Sequence, residues 1–236
     1  MNKKRLIQHH LCFLKQNRGT HQSFKNIETI VSKRTEFNIS IILDQNFSLE
    51  HPSDFLYIPD EGEIVPESTY ALVNNITYMT ASSEVVSEWD ENSSILVRKV
   101  ENLDDLETFS EVQVRGFNET EETYLDWYPW LRTMNIQGFG FENQHYFIAY
   151  IDEVPVGVCL IVEDKEIYGL YAIATNPNYR KQGVATTVMK KSLEACQTPK
   201  DSVLALQVLS SSGAERLYRN LGFTKEFSFD MYRKEH

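Results

Sequence analysis

The residues from Thr175 to Thr186, Thr-Asn-Pro-Asn-Tyr-Arg-Lys-Gln-Gly-Val-Ala-Thr, follow an apolar run and open an amphipathic one. That order ends a strand and starts a helix within one short turn, where Pro177 cannot extend a ladder and Gly183 accepts backbone angles that other residues resist. A helix start placed there presents N–H groups without intrahelical acceptors, together with the positive end of the helix dipole. Such an end favours a phosphate. Gly183 brings no side chain, Ala185 and Thr186 are small, and the amides from Gln182 through Val184 to Thr186 can close on a diphosphate, with Arg180 and Lys181 adding charge.

A second informative run lies downstream. Val203 to Leu209 reads as a buried strand, and Ser210-Ser211-Ser212-Gly213 as a loop with a helix N-cap. The next helix places Ala214, Leu217, Tyr218 and Leu221 at i, i+3, i+4 and i+7, stops at Gly222, and gives way to a strand from Phe223.

The pattern Arg180-x-x-Gly183-x-Ala185 and the run Ala214-x-x-Leu217-Tyr218-x-x-x-Gly222-Phe223 resemble, in this order and at this distance, two recurrent motifs of the GNAT superfamily of N-acetyltransferases. The first is neither a dinucleotide-binding GxGxxG nor a P-loop. The resemblance implies an α+β fold, a central mixed and mostly antiparallel sheet flanked by helices, over residues 95–236. It also implies acetyl-CoA as co-substrate and a primary amine, on a small molecule or a protein, as acceptor.

The same resemblance assigns roles. Ile173 would offer a backbone N–H to the oxyanion at a bulge, and Ala174 and Thr175 would line the pantetheine as an added strand. Tyr218 would protonate the leaving thiolate, or else serve as a wall of the core. Ser211 stands where many relatives carry an Asn that touches the cofactor, and its hydroxyl either does part of that work or caps the helix. Gly169 departs from relatives that place a general-base carboxylate there, and strand alternation puts Glu166 on the face opposite Ile173 unless a bulge intervenes. The base stays unassigned. Trp127, Tyr128, Trp130 and Phe139 fall where the superfamily lines its acceptor site, or they pack the core. Two other readings remain: a non-catalytic acyl-CoA sensor, and an aminoacyl or long-chain acyl transferase.

Composition narrows the field. Lys plus Arg is 23 against 34 for Asp plus Glu, a formal charge of −11, which argues against nucleic acid or an anionic membrane as partner. Acid excess suits a cationic amine, or simply solubility. Cys12, Cys159 and Cys196 lack paired spacing, the six histidines form no ligand pattern, and buried free thiols with no metal are expected. The basic start, Met1 to Lys15, has no 7-to-15-residue apolar run of the kind a signal peptide needs and reads as a helix burying Leu6, Ile7, Leu11 and Leu14. A cytoplasmic monomer or homodimer is expected.

Residues 81–94, rich in Ser, Glu, Asp and Asn, read as a linker between a lobe at 1–94 and the transferase domain at 95–236. The domain reads as strand, two helices, three strands, helix, strand, helix, strand, with Pro129 breaking or kinking the second helix. The smaller α/β lobe, a candidate degenerate copy of the same fold, reads as helices at 2–16 and 22–36 and strands near 39–43, 55–58 and 70–79. Its Tyr57, Tyr70 and Tyr78 serve packing or binding.

Overall fold

The computed structural model describes residues 3–24, 26–32, 38–43, 53–60, 69–117 and 120–235. They form two compact units, Ala81–Ala205 and a second built from Met1–Thr80 with Leu206–His236. Both combine helices with sheet, as the α+β class requires. Compactness therefore divides the chain elsewhere than the linear cut after residue 94. The segment from Leu206 groups with the first eighty residues.

In the unit Ala81–Ala205, strands β6 (Leu96–Lys99), β7 (Gln144–Ile151), β8 (Val154–Asp164) and β9 (Ile167–Thr175) pair antiparallel in succession. The start of β10 (Val203–Leu209) runs parallel to β9, from Val203 opposite Ile167 to Ala205 opposite Gly169. The β7–β8 turn is only Asp152-Glu153, with φ of 47° and 62°, the left-handed pair that a two-residue hairpin demands. Helix α2 (Leu103–Phe117) starts where the Asn102 side chain accepts the Asp105 N–H at 2.9 Å, and buries Leu106, Phe109, Val112 and Val114. Helix α3 (Glu121–Phe139) is capped by Thr120 and runs unbroken through Pro129. Pro129 is exposed, so water can serve the carbonyl of exposed Leu125 that the missing N–H leaves without a donor. Across the two helices Arg132 Nε donates to both Glu107 oxygens at 2.6 and 2.7 Å and the Tyr128 hydroxyl donates at 2.7 Å, holding the Glu107 carboxyl down to about 2.

Residues 81–94 are not a spacer. After a short 3₁₀ turn, Ser83–Glu88, Trp89 is buried and the chain lies as a strap along helix α4 (Val184–Ala195). Lys190 Nζ donates to the Trp89 carbonyl at 2.8 Å and Lys191 pairs with Glu91 at 2.9 Å. Two of the polar residues that suggest a solvated linker, Glu91 and Asn92, bond to the helix instead.

The other unit contains α1 (Lys3–Asn17), β1 (Gly19–Phe24), β2 (Ile27–Ser32), β3 (Ile39–Ile42), β4 (Phe55–Pro59), β5 (Tyr70–Ser82, as far as Thr80), the end of β10, α5 (Gly213–Asn220) and β11 (Thr224–Lys234). Helix α1 buries Leu6, Ile7, Leu11 and Leu14 as expected. The helix expected at 22–36 is replaced by strands β1 and β2, paired from Gly19–Ser32 to Phe24–Ile27, while 25 and 33–36 fall outside the described residues. β-Branched Thr20, Ile27, Thr29, Ile30 and Val31 suit a pleated surface better than a helix turn. Strand β2 pairs antiparallel with β3, β3 parallel with β4, and β11 lies antiparallel between β4 and β5. Ile27, Ile42, Leu56 and Ile58 form one core cluster, with Tyr70 against it. Tyr78 stacks on Phe227 at 4.6 Å. These two tyrosines pack.

The cysteines are free thiols. Only Cys159 is fully buried, and Cys12 and Cys196 are half-buried, short of the burial expected for Cys196 at a helix end. No group of three metal-ligating side chains occurs among the described residues. None of their helices is long and apolar enough to cross a membrane.

Candidate active site

Strand β9 carries an irregularity where the oxyanion donor is expected. Leu160 pairs with Tyr171 and Val158 with Ala174, so Cys159 alone faces both Ala172 and Ile173. One strand holds an extra residue, and Ala172 takes φ of 50° to accommodate it. The bulge changes the side on which each later residue points, which is the condition under which Glu166 and Ile173 could share a face. Glu166 is nonetheless exposed beyond the far end of β9, where its carbonyl accepts the Val203 N–H. Gly169 is buried.

Past the bulge, Asn176 N–H donates to the Val156 carbonyl at 2.8 Å, the last rung before the turn. The Asn176 side chain accepts the Asn178 N–H at 3.1 Å and starts the 3₁₀ turn Pro177–Tyr179. Lys181 (φ 63°) and Gly183 (φ 80°) then adopt left-handed angles and α4 begins. Thr120 caps α3 and Ser212 caps α5 through their hydroxyls, but no side chain caps α4. The N–H groups of Val184, Ala185 and Thr186 thus face outward from a first turn whose glycine cap is exposed. The structure thus places a left-handed glycine and an uncapped helix start at the positions the sequence marked as a phosphate cradle.

Two glycines seat the cradle. A Cβ on Gly157 would lie 2.4 Å from Val184 Cγ1 and 3.3 Å from the Ala174 carbonyl oxygen, so the first residue of α4 rests directly on the bare backbone of β8. A Cβ on Gly116 would lie 2.7 Å from Ala174 Cβ and 3.0 Å from the Thr175 nitrogen, so the end of α2 meets the end of β9. Arg180, expected to add charge to the loop, donates from Nη2 to the Gly116 carbonyl at 3.0 Å and so ties the loop to the negative end of α2. Lys181 is exposed. Replacing Gly157 by valine is expected to cost about 1–3 kcal/mol, because the helical, β-branched Val184 has little rotamer freedom to retreat. A drop in the denaturation midpoint at unchanged slope would show it.

The downstream motif lies in the other unit. Tyr218 is buried, its ring 5.9 Å from that of Phe223 at 61°, and the Phe223 N–H donates to the Tyr218 carbonyl at 3.0 Å. The buried face of α5 is not the apolar stripe read from spacing. Ala214 is exposed, Leu217 and Leu221 are half-buried, and Glu215 shares the buried side with Tyr218. Glu215 is held there because its carboxylate accepts the Ser211 N–H at 2.5 Å and the Arg219 guanidinium at 2.6 Å, which lowers its pKa. Ser212, not Ser211, caps the helix, with Oγ accepting the Glu215 N–H at 3.1 Å. Ser211 is an exposed residue at φ of 62°.

The aromatic group on α3 divides. Trp130 is buried edge-on against Trp127 at 5.3 Å, Phe139 contacts the Tyr146 ring at 6.0 Å, Tyr128 is held by Glu107, and Trp127 is exposed. Sequence reasoning missed Gly116, Gly157 and Asn92. Only the two glycines carry any trace in the chain, as isolated glycines within a helix and a strand pattern.

Comparison with known proteins gives the family. The Acetyltransferase (GNAT) family model matches residues 103–223, just over half of the chain. An uncharacterised N-acetyltransferase of Methanocaldococcus jannaschii is 24% identical over 131 residues, a stretch covering 52% of this chain and 58% of that protein. Among solved structures, a functionally unknown conserved protein from Staphylococcus epidermidis superposes with a TM-score of 0.72 at 11% identity, over 93% of this chain and 95% of its own. A GCN5-related N-acetyltransferase from Kribbella flavida superposes at 0.66 and 12% identity, over 98% and 95%. A tandem GNAT protein from the clavulanic acid biosynthesis pathway gives 0.56 at 7%, again over 98% and 95%. With a bulged β9, a glycine-opened α4 and a family match that spans both motifs, this chain belongs to the acetyltransferase (GNAT) family.

Proposed function

We propose that the protein transfers an acetyl group from acetyl-CoA to a primary amine. The observation that carries this reading is the uncapped start of α4, with Gly183 at φ of 80° inside the Arg180-x-x-Gly183-x-Ala185 pattern. In this reading the amides of Gln182 to Thr186 hold the diphosphate and the side chain of Arg180 fixes their loop. Ala174 and Thr175 flank the pantetheine, and Ser211 borders the cofactor. The neutral amine nitrogen attacks the thioester carbonyl, the Ile173 N–H at the bulge stabilises the oxyanion, the C–S bond breaks as the Tyr218 phenol gives its proton to sulfur, and the surplus proton on nitrogen passes to solvent, from which the phenolate is reprotonated. The residues assigned to the chemistry all fall within 95–236, and 1–80, which group with 206–236 in one compact unit, are accessory to it.

A second reading is supported by buried Gly169, which puts no carboxylate where a base would stand: an acyl-CoA sensor without turnover. Incubation with acetyl-CoA and a panel of primary amines, followed by mass spectrometry, separates the two. Acetylated amine with free CoA supports the transferase. CoA binding without product across the panel supports the sensor, and preference for longer or aminoacyl donors would replace acetyl as the group carried.

A further inference from the structure

Asn92, in the strap that precedes β6, holds both ends of the cradle. Its Nδ2 donates to the Gln182 carbonyl at 3.0 Å, and its backbone N–H donates to Thr187 Oγ1 at 2.9 Å. Its Oδ1 accepts both the N–H and the hydroxyl of Ser94, at 3.0 and 2.7 Å. Two donors on the oxygen leave the amide one orientation, with its NH₂ toward Gln182. A trans peptide is planar, so its carbonyl and its N–H point in opposite directions. Pulling the Gln182 carbonyl toward the strap therefore turns the Gly183 N–H away from the strap, to the open side of the loop. Thr187, fully buried, fixes the other side, and its N–H makes the bond to the Gly183 carbonyl at 2.9 Å. Gly183 at φ of 80° needs such an anchor, since glycine leaves the rotation of that peptide otherwise free.

We propose that Asn92 is a positioning residue for the donor's diphosphate, aiming the Gln182–Gly183 peptide so that the cradle is formed before the ligand arrives. The proposal rests on the reading that this loop holds acyl-CoA. It places a determinant of donor affinity in the strap, some ninety residues upstream of the motif it serves. Preorganisation of this kind lowers the ordering cost of binding and adds no contact with the ligand.

The test is calorimetric titration of wild type, Asn92→Asp and Thr187→Val with CoA and, separately, with pantetheine, which lacks the diphosphate. Asn92→Asp keeps an oxygen for Ser94 but sets a carboxylate oxygen against the Gln182 carbonyl, and Kd for CoA should rise about tenfold or more. Pantetheine affinity should stay within about twofold, since the peptide that turns lies at the diphosphate. Thr187→Val removes only the second tether and should weaken CoA less, which decides the matter should Asn92→Asp fail to fold. Wild-type affinity for CoA in both variants would overturn the proposal and leave the transferase reading standing. Equal losses for CoA and pantetheine would overturn it as well, by showing general disruption. No CoA binding by wild type would remove the cradle reading itself, and this proposal with it.

Discussion

Tyr218→Phe is expected to lower kcat by about 10²- to 10⁴-fold, the usual contribution of a positioned general acid, while Kd for CoA stays unchanged. The substitution removes one oxygen and keeps the ring, so the edge contact with Phe223 at 5.9 Å survives and the fold should be unaffected. Two outcomes would sink the role. Full activity in the variant would make Tyr218 a packing residue, and a parallel loss of CoA affinity would place it in binding. The pH profile adds a further readout, because loss of an acid should remove a high-pH limb from kcat when chemistry limits turnover. A sensor would show no turnover in either form.

Gly183→Glu is expected to abolish the stabilisation that acetyl-CoA gives in a melting experiment. A ligand at a hundred times its Kd adds about 2.7 kcal/mol, which for a chain of this size is roughly 5–10 °C in Tm. Space is not the main obstacle, because an added Cβ would sit 3.5 Å from Asn92 Cβ in ordinary contact. The backbone is the obstacle: a side chain at φ of 80° costs about 1–2 kcal/mol, and relaxing that strain turns the amides out of line. The new carboxylate would also settle at the positive end of α4 and repel a diphosphate. Gly183→Asn is the informative companion, since asparagine tolerates left-handed angles and carries no charge. It should keep part of the shift. An undiminished shift in Gly183→Glu would mean that CoA does not contact this turn.

Much of the Ala81–Ala205 unit was legible because its elements are long, periodic and locally punctuated. Val184, Val188, Met189 and Cys196 share a helical spacing that marks α4, of which Cys196 is only half-buried, and Asp152-Glu153-Val154-Pro155 reads as a turn that the structure narrows to Asp152-Glu153. The turn from β9 into α4 was legible for the same reason, since a strand, a proline, a glycine and a helix stand consecutively. What supports that turn was not. Asn92 touches Gln182 and Thr187 only after the strap folds along α4, and Gly116 meets Ala174 only where α2 ends against β9, so neither contact has a local signature. The failure at 22–36 has a different cause. Apolar residues there satisfy a helical period by chance, while β-branched Thr29, Ile30 and Val31 reveal their preference only once β3 supplies an edge to pair with. Glu215 misled in a third way. Spacing cannot show that a carboxylate will be drawn inward by a backbone N–H and an arginine on its own helix.

Because β11 lies between β4 and β5, a ribosome must release a long intervening stretch before those two neighbours acquire the strand that joins them. Until then each exposes a row of unsatisfied peptide groups on one side, an invitation to cross-pair with another nascent chain. A fragment trimmed to residues 95–236 would meet the converse difficulty: β11 would emerge with neither flank, and α5 would be tethered to a strand that has nowhere to dock. Searches for activity therefore belong with the intact polypeptide, and low yield from a minimal fragment would report on assembly, not on chemistry.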